Sequence, residues 1–321
     1  MEARDRLGGR IHNHYTLDLG PTWFWPGQRR MTSLAKELGI GVFEQQNQGD
    51  LLYEDPNVRS ERIPGQAHQM TSYRVEGGIS QFTQGLAARI SPDKILLDRQ
   101  VNAISSIDEN LQVSFTQGNS EKSISTKRAF LALPPRLVGR TFSFEPALAT
   151  DAMKDMVSIP TWMAGQAKAL VTFDHPFWRD QNLSGQAFSR LGPLMEIHDA
   201  SAPSAAPYVL FGFIGGTGKQ RREIGTEKLR LSIEQQIKRL YGADSPSPTE
   251  IIIKDWAQNN LTATEDDMEP LQNHPSYGLP ASLVNLWDRK LTFIGTEVAK
   301  SEGGYLEGAL IAAEDALNQL A

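Results

Sequence analysis

Apolar residues recur along this chain in two periods, and those periods predict a mixed α/β protein. Ile79, Phe82, Leu86 and Ile90 mark one face of a helix behind Gly77-Gly78. Leu229, Ile233, Ile237 and Leu240 do the same and stop at Gly242. Met31 to Leu38 reads as a helix closed by Gly39, a residue free to take the left-handed cap. Leu306, Leu310, Ala313, Leu317 and Leu320 predict a last helix. β-branched and alternating runs predict strands over Lys94–Leu97, Val101–Ile107, Leu111–Thr116, Ala129–Leu133, Ala169–Phe173, Tyr208–Ile214, Ile251–Trp256 and Leu291–Ile294. The last of these runs into Gly295 and then a helix, a strand–loop–helix unit of α/β type. Ser201 to Pro207 and Asp244 to Pro248 read as loops.

With 321 residues the chain is long enough for two domains sharing an interface. Its apolar fraction of 40%, charged fraction of 22% and net charge of −6 are those of an ordinary globular protein, with no basic footprint for nucleic acid. No stretch approaches the roughly 18 apolar residues of a membrane span. The charged opening, Met1 to Arg6, is no signal peptide, so the cytoplasm is the expected location. The absence of cysteine excludes disulfides, thiolate metal sites, cysteine nucleophiles and any thioether-linked cofactor.

Several local patterns invite chemistry and fail on spacing. Gly215-Gly216-Thr217-Gly218-Lys219 follows a strand, but Phe213 stands where a phosphate loop needs its first glycine and Gln220 replaces Ser/Thr. It reads as a strand-end turn. His12 and His14 lack a third ligand at metal spacing and read as surface or strand residues. No G-x-S-x-G elbow occurs. The opening is more informative. Glu2 followed by Gly8-Gly9-Arg10 has the form of an acidic strand end and glycine loop in a dinucleotide fold, where the carboxylate takes ribose hydroxyls. Such a residue normally lies about 20 residues after a G-x-G-x-x-G turn. The expectation is that this turn and its helix, which should hold a pyrophosphate, fall outside the sequence. The chain by itself is then expected to lack its bound dinucleotide or to be poorly soluble.

Five blocks, in order, carry a resemblance. Glu2-Ala3-Arg4-Asp5-Arg6-Leu7-Gly8-Gly9-Arg10 resembles the E-A-x-x-R-x-G-G-R block of flavin-containing amine oxidases. Asp18-Leu19-Gly20-Pro21-Thr22-Trp23 is similar to the segment that passes the flavin ring there. Leu131-Ala132-Leu133-Pro134-Pro135 resembles the family's strand end. Lys168 with Pro176-Phe177-Trp178-Arg179 resembles its lysine strand and P-F-W-R. Gly295-Thr296-Glu297 and Gly303-Gly304-Tyr305-Leu306-Glu307-Gly308-Ala309 resemble its C-terminal G-T-E and G-Y-x-E-G-A blocks. The large helical insertion of bigger relatives is absent; only about Gln46 to Ser72 stands in its place.

The resemblance implies a two-domain FAD-binding fold. A Rossmann-like FAD domain would collect residues 1–45, 74–140 and 285–321, and a mixed-sheet plus helix substrate domain 46–73 and 141–284. It implies noncovalent FAD, a small-molecule amine as substrate, and O2 as electron acceptor. Cofactor contacts would come from Glu2, Arg4, Gly8, Gly9, Arg10, Gly20, Pro21, Thr22, Val101, Pro134, Glu297, Gly304, Tyr305, Leu306 and Ala309. Lys168 would hold a water against flavin N5, and Tyr305 would form one wall of an aromatic cage. His274 or Tyr277 would oppose it, with Trp256 a further pocket wall. Read without the family, Lys168 is a strand lysine, Tyr305 a core tyrosine, Trp256 a packed core tryptophan, Glu297 a helix-terminal charge and Arg10 a surface charge. The alternatives in function are a flavin-dependent desaturase or dehydrogenase on the same scaffold, and an inactive remnant acting through a partner.

Overall fold

A computed structural model describes residues 1–57, 60–65, 71–203 and 206–319. A short hairpin of β1 (Asn13–His14) and β2 (Leu17–Asp18) leads through a loop to α1 (Arg29–Leu38). Strands β3 (Val42–Glu44), β4 (Asp50–Glu54), β5 (Glu61–Ile63) and β6 (Tyr73–Val75) precede α2 (Ser80–Ala87). A meander follows: β7 (Gln100–Ile107), β8 (Asn110–Gln117) and β9 (Ser120–Thr126), then β10 (Ala129–Leu131), α3 (Pro135–Thr141), β11 (Ser143–Glu145) and α4 (Thr150–Ser158). Next come β12 (Ala167–Phe173), α5 (Phe177–Asp180), β13 (Leu183–Ser189), β14 (Leu194–Asp199) and β15 (Tyr208–Ile214). α6 (Gly218–Ile224), α7 (Thr226–Tyr241), β16 (Glu250–Asp255), β17 (Leu291–Phe293) and α8 (Leu306–Asn318) complete the chain.

The largest sheet has seven strands in the order β16-β12-β15-β14-β13-β4-β5. All seven residues of β12 are buried, because both faces of the strand are covered. Ala167, Ala169, Val171 and Phe173 share a core with Leu229, Ile233, Ile237 and Leu240 of α7. The other face packs Leu170 and Phe211 against Leu17, Leu19 and Trp23. A second core lies under β7, β8, β10, β17 and α8, where β10 and β17 pair in parallel. A third joins α1 and α2 through Phe24, Met31, Ile79 and Phe82. β11 pairs with β7, and Ala152 and Met156 of α4 enter the second core, so residues 143–158 are built into the β7–β9 side of the molecule.

Several expectations are corrected. Lys94–Leu97 is no strand: Pro92 starts a single tight turn, and Leu96 accepts the Glu2 amide outside any ladder. The helix behind Gly77-Gly78 ends at Ala87, before Ile90, and Leu86 and Ile90 are exposed; only Ile79 and Phe82 reach the core. In α8 the buried stripe is Glu307, Gly308, Ile311, Ala312 and Ala316, one step round from the expected one, and Leu317 faces solvent. Leu320 lies outside the described residues, as do Ser204 and Ala205 of the expected 201–207 loop. After Gly215-Gly216 the chain enters a helix at once, with Thr217 capping α6 through the Gln220 amide.

The burial of Glu307 has a reason in the packing. Its carboxylate accepts the amides of Arg30 at 3.1 Å and Met31 at 2.9 Å, the first turn of α1. An anion at a helix N-terminus satisfies amides that have no partner within the helix. Glu307→Ala should therefore lower stability by about 1.5–3 kcal/mol, the range for hydrogen bonds to a buried charged group. Urea denaturation measures this; an unchanged midpoint would show the carboxylate to be dispensable.

Candidate active site

Lys168 is the second residue of β12, 3% exposed, on the face turned away from α7. Its Nζ donates to the carbonyl of Gly20 at 2.7 Å, to that of Asp18 at 3.1 Å and to the Thr22 hydroxyl. It also lies 4.5 Å from the centre of the Phe211 ring. Burial pulls its pKa down from 10.5 to about 7, the Asp18 carboxylate opposing and Arg74 adding to the shift. Three acceptors suit an ammonium with three N–H groups. A neutral amine has two, and it can still fill the site if the Thr22 hydroxyl turns to donate. The loop thus accommodates both protonation states.

Asp18 is as deeply buried. One oxygen accepts the Ile79 amide at 2.8 Å at the start of α2, and the other has no hydrogen-bond partner. Burial raises its pKa to about 6 against the pull of Arg74 and Lys168. Arg74 is buried too, its pKa lowered by burial, with Nε unpartnered and its guanidinium over Phe43 at 5.7 Å. Three ionisable groups share one dry compartment beneath the 18–23 loop. Sequence reasoning found Lys168 and missed Asp18 and Arg74; an aspartate and an arginine inside apolar runs were the available signal.

A second cluster forms where α8 begins. Tyr305 caps that helix, and the His274 ring stacks on it, centroids 4.8 Å apart and planes within 8°. At that spacing nothing fits between the two rings. Trp25 meets Tyr305 edge-on at 5.4 Å, and Trp162 meets His274 at 4.8 Å. Tyr277 is fixed elsewhere: its hydroxyl donates to the Pro160 carbonyl and accepts the Trp162 amide, both at 2.9 Å. Burial raises its pKa. Between His274 and Tyr277, the structure therefore puts His274 against Tyr305. Gly304 takes φ +83°, and a Cβ there would come within 3.1 Å of Trp162 and Tyr277 atoms, so the approach needs glycine. A cavity of about 330 Å³ lies alongside, lined by His274, Tyr277, Lys300, Glu302, Gly303 and Tyr305. Trp25 and Trp162 were not foreseen; each lies within two residues of a proline, with no periodic signal. Trp256 stands apart, its indole donating to the Leu19 carbonyl at 3.0 Å and its ring contacts being with His12 and Lys254. Burial, ahead of nearby Arg6 and Lys254, lowers the pKa of His12 to about 4, and among the described residues no group of three side chains could hold a metal ion.

The remaining site residues group along the N-terminal segment and α8. Glu297, 1% exposed, binds Arg10 through one oxygen at 2.7 Å, and Arg10 also donates to the Trp162 carbonyl. Glu2 holds Arg4 through one oxygen. Arg4 in turn reaches Asn259, Leu261 and Thr262. Gly8 and Gly9 both have positive φ. Gly20 has no room for a side chain, since a Cβ would meet the Arg10 carbonyl at 1.9 Å. Pro21 and Thr22 follow in the loop that holds Lys168. Val101 is half-buried on β7 and Pro134 precedes α3; Leu306 and Ala309 lie on the first turn of α8. Two carboxylates, each with one oxygen engaged by arginine and one left to accept a hydroxyl, suit a polyhydroxyl ligand such as the ribose and ribityl chain of FAD. The residues fit that group.

The fold is an α/β fold with mixed sheets, shared with amine oxidases of known structure. A redesigned double mutant of putrescine oxidase superposes with a TM-score of 0.79 at 16% identity, covering 99% of this chain and 92% of that one. Cyclohexylamine oxidase from Brevibacterium oxydans IH-35A gives 0.78 at 18% identity, covering 100% and 93%. The family model of flavin containing amine oxidoreductases matches residues 1–71 and 57–319, and the chain belongs to that family. It is 25% identical over 244 residues to a probable flavin-containing monoamine oxidase A of Dictyostelium discoideum, which covers 74% of this chain and 50% of that protein. An L-amino acid dehydrogenase of Synechocystis sp. is 26% identical over 245 residues, 75% of this chain and 50% of that one. The chain spans about half the length of these curated relatives. Among the described residues no helix is long and apolar enough to cross a membrane.

The Lys168 compartment makes stability depend on pH. Below about pH 7 folded and unfolded states both carry the Lys168 proton, and burying the charge costs stability in full. From there to 10.5 the folded state holds fewer protons, so this contribution rises with pH. Lys168→Met removes it. The stability difference, wild type minus variant, should therefore increase between about pH 7 and 10 in urea denaturation; parallel pH curves would mean that Lys168 keeps an ordinary pKa.

Proposed function

We propose that this protein oxidises an amine to an imine, using noncovalently bound FAD and passing the electrons to O2. The imine hydrolyses to aldehyde and ammonia, and O2 leaves as hydrogen peroxide. The observation that carries this reading is the Tyr305–His274 ring pair beside its cavity, together with the buried Lys168 compartment at the 18–23 loop. Family membership and the amine oxidases that share the fold support it. One of those neighbours is a putrescine oxidase bound to putrescine.

FAD supplies the hydride acceptor when bound, and the protein positions, dries and tunes. Glu2 and Glu297 would accept hydroxyls of the cofactor, with Arg4 and Arg10 fixing those carboxylates. Gly8, Gly9, Gly20 and Gly304 would let the backbone come close, with Pro21, Thr22, Val101, Pro134, Tyr305, Leu306 and Ala309 completing the contacts. The stacked Tyr305–His274 pair would line the amine pocket as a single aromatic wall, without itself adding a carboxylate that would hold the amine protonated. Tyr277 would support the pocket from behind, while Trp256, bonded to the Leu19 carbonyl, would steady the 18–23 loop instead. Lys168 would hold a water at the reacting face by giving up one of its three loop acceptors, and its pKa near neutrality lets it do so in either protonation state. We divide the chain into a cofactor side of residues 1–45, 74–158 and 285–319 and a substrate side around the seven-stranded sheet, moving β11 and α4 to the cofactor side because their packing lies there. A dehydrogenase that reduces another acceptor is the second reading, favoured by the Synechocystis relative; dye reduction without peroxide would select it.

The wall assignment has a sharp test in the complete, flavin-loaded protein. Tyr305→Phe keeps ring and shape and should change kcat/KM little. Tyr305→Leu should lower it on the order of a hundredfold with flavin content intact, the cost of misplacing a reacting atom by about 1 Å. If the two variants behave alike, the wall assignment is falsified. Lys168→Met should alter flavin reduction or reoxidation at unchanged flavin content; two unchanged half-reactions would leave Lys168 as a pin for the 18–22 loop.

A further inference from the structure

The strand register draws a row of side chains across one face of the seven-stranded sheet. Lys168 stands opposite Phe213, Phe213 opposite Glu196, Glu196 opposite Phe188, and Phe188 beside Tyr53. Residues directly opposed in neighbouring antiparallel strands project from the same face. The contacts agree. Lys168 Nζ lies 5.8 Å from the Phe213 ring centre, and His198, two residues along from Glu196, stacks on Phe211 at 5.3 Å. This is the face that meets Trp23 and the 18–22 loop, where Lys168 is bound. Two strand spacings separate Lys168 from Glu196, roughly 10 Å.

Burial falls away along the row. Lys168 is closed off, Phe213 is half-buried, and Phe188 is 36% exposed. The row therefore leads from the interior toward solvent, and its chemistry changes on the way from a cation, through an aromatic ring, to a carboxylate. The Glu196 side chain is 40% exposed and held by the His198 imidazole at 2.6 Å. Phe213 and Phe188 flank it on the two neighbouring strands. A carboxylate between two aromatic rings, at the open end of a face whose closed end is Lys168, proposed above to hold the water at the reacting face, has the form of an anchor for an ammonium carried on a hydrocarbon chain.

We propose that Glu196 binds a second cationic group of the substrate, so that this protein prefers diamines or longer polyamines to monoamines. The inference rests on the amine-oxidation reading. The rings of Phe213 and Phe188 would shelter the methylenes between the two nitrogens, and His198 would keep the carboxylate turned into the row. One charge-assisted contact of this kind changes affinity about tenfold or more.

Calorimetric titration of the complete flavin-loaded protein with 1,4-diaminobutane and with butylamine separates the possibilities. The wild type should bind the diamine at least about tenfold more tightly. Glu196→Gln should abolish that preference while leaving butylamine affinity within about twofold of wild type. No preference in the wild type, or an equal loss for both amines in the variant, overturns the proposal. Peroxide release, followed with the same two amines, tests the underlying reaction separately. If the binding preference holds but neither amine yields peroxide or reduces an added dye, the amine-oxidation reading fails and the cation anchor stands. If both amines are oxidised with equal kcat/KM in wild type and variant, the anchor fails and the oxidation reading stands.

Discussion

A single buried cation organises the centre of this molecule. Lys168 stands in a seven-residue strand with every residue buried, and a charge there is tolerated only where acceptors surround it. The loop after β2 supplies them: two carbonyls and a hydroxyl, from Asp18, Gly20 and Thr22. To reach Nζ that loop must pass so close to Arg10 that residue 20 has no space for a side chain. The countercharge comes from Asp18, which also accepts the first amide ahead of α2. The path of the loop, the start of a helix and the position of Trp23 all follow from where one lysine is placed.

The same placement explains why the two faces of the large sheet differ. Toward α7 the contacts are apolar and interchangeable, Ala, Val and Phe against Leu and Ile. Toward the 18–23 loop they are polar at one point and aromatic around it, with Phe211, Phe213, His198 and Trp23 in mutual contact. The first face supplies most of the burial that folds the domain. The second spends part of that gain on holding ionisable groups out of water, as functional surfaces commonly do. A sheet that alternates by residue can carry both tasks without either disturbing the other.

Much of this was legible in the sequence where burial is periodic. β15 and α7 were read nearly to the residue because their apolar stripes match the strand and helix periods. β9, Ser120–Thr126, was not readable: six of its seven residues are exposed, and it is held by its ladder to β8. β13 hid for another reason, since Gly185 takes a left-handed φ and breaks the alternation among small residues. In α8 the apolar period was real, but Leu306 and Leu310 pack against α1 and α2 while Ile311 and Ala312 fill a different core, so one stripe stood for two. Among the proposed site residues, motif matches singled out Lys168, Tyr305 and Glu297. They could not choose between His274 and Tyr277, because that choice depends on a hydrogen bond to Pro160, over a hundred residues away in sequence.

The Glu307 carboxylate and the Tyr305 ring lie two residues apart at the head of one helix. Tilting α8 enough to move the ring would lift the carboxylate from the amides of Arg30 and Met31, exposing the end of α1. The orientation of an aromatic side chain is thereby backed by the integrity of a helix in another part of the fold. In mechanical terms the ring is braced rather than hinged. Its stiffness comes from an electrostatic latch, in a chain that has no cysteine with which to build a covalent one.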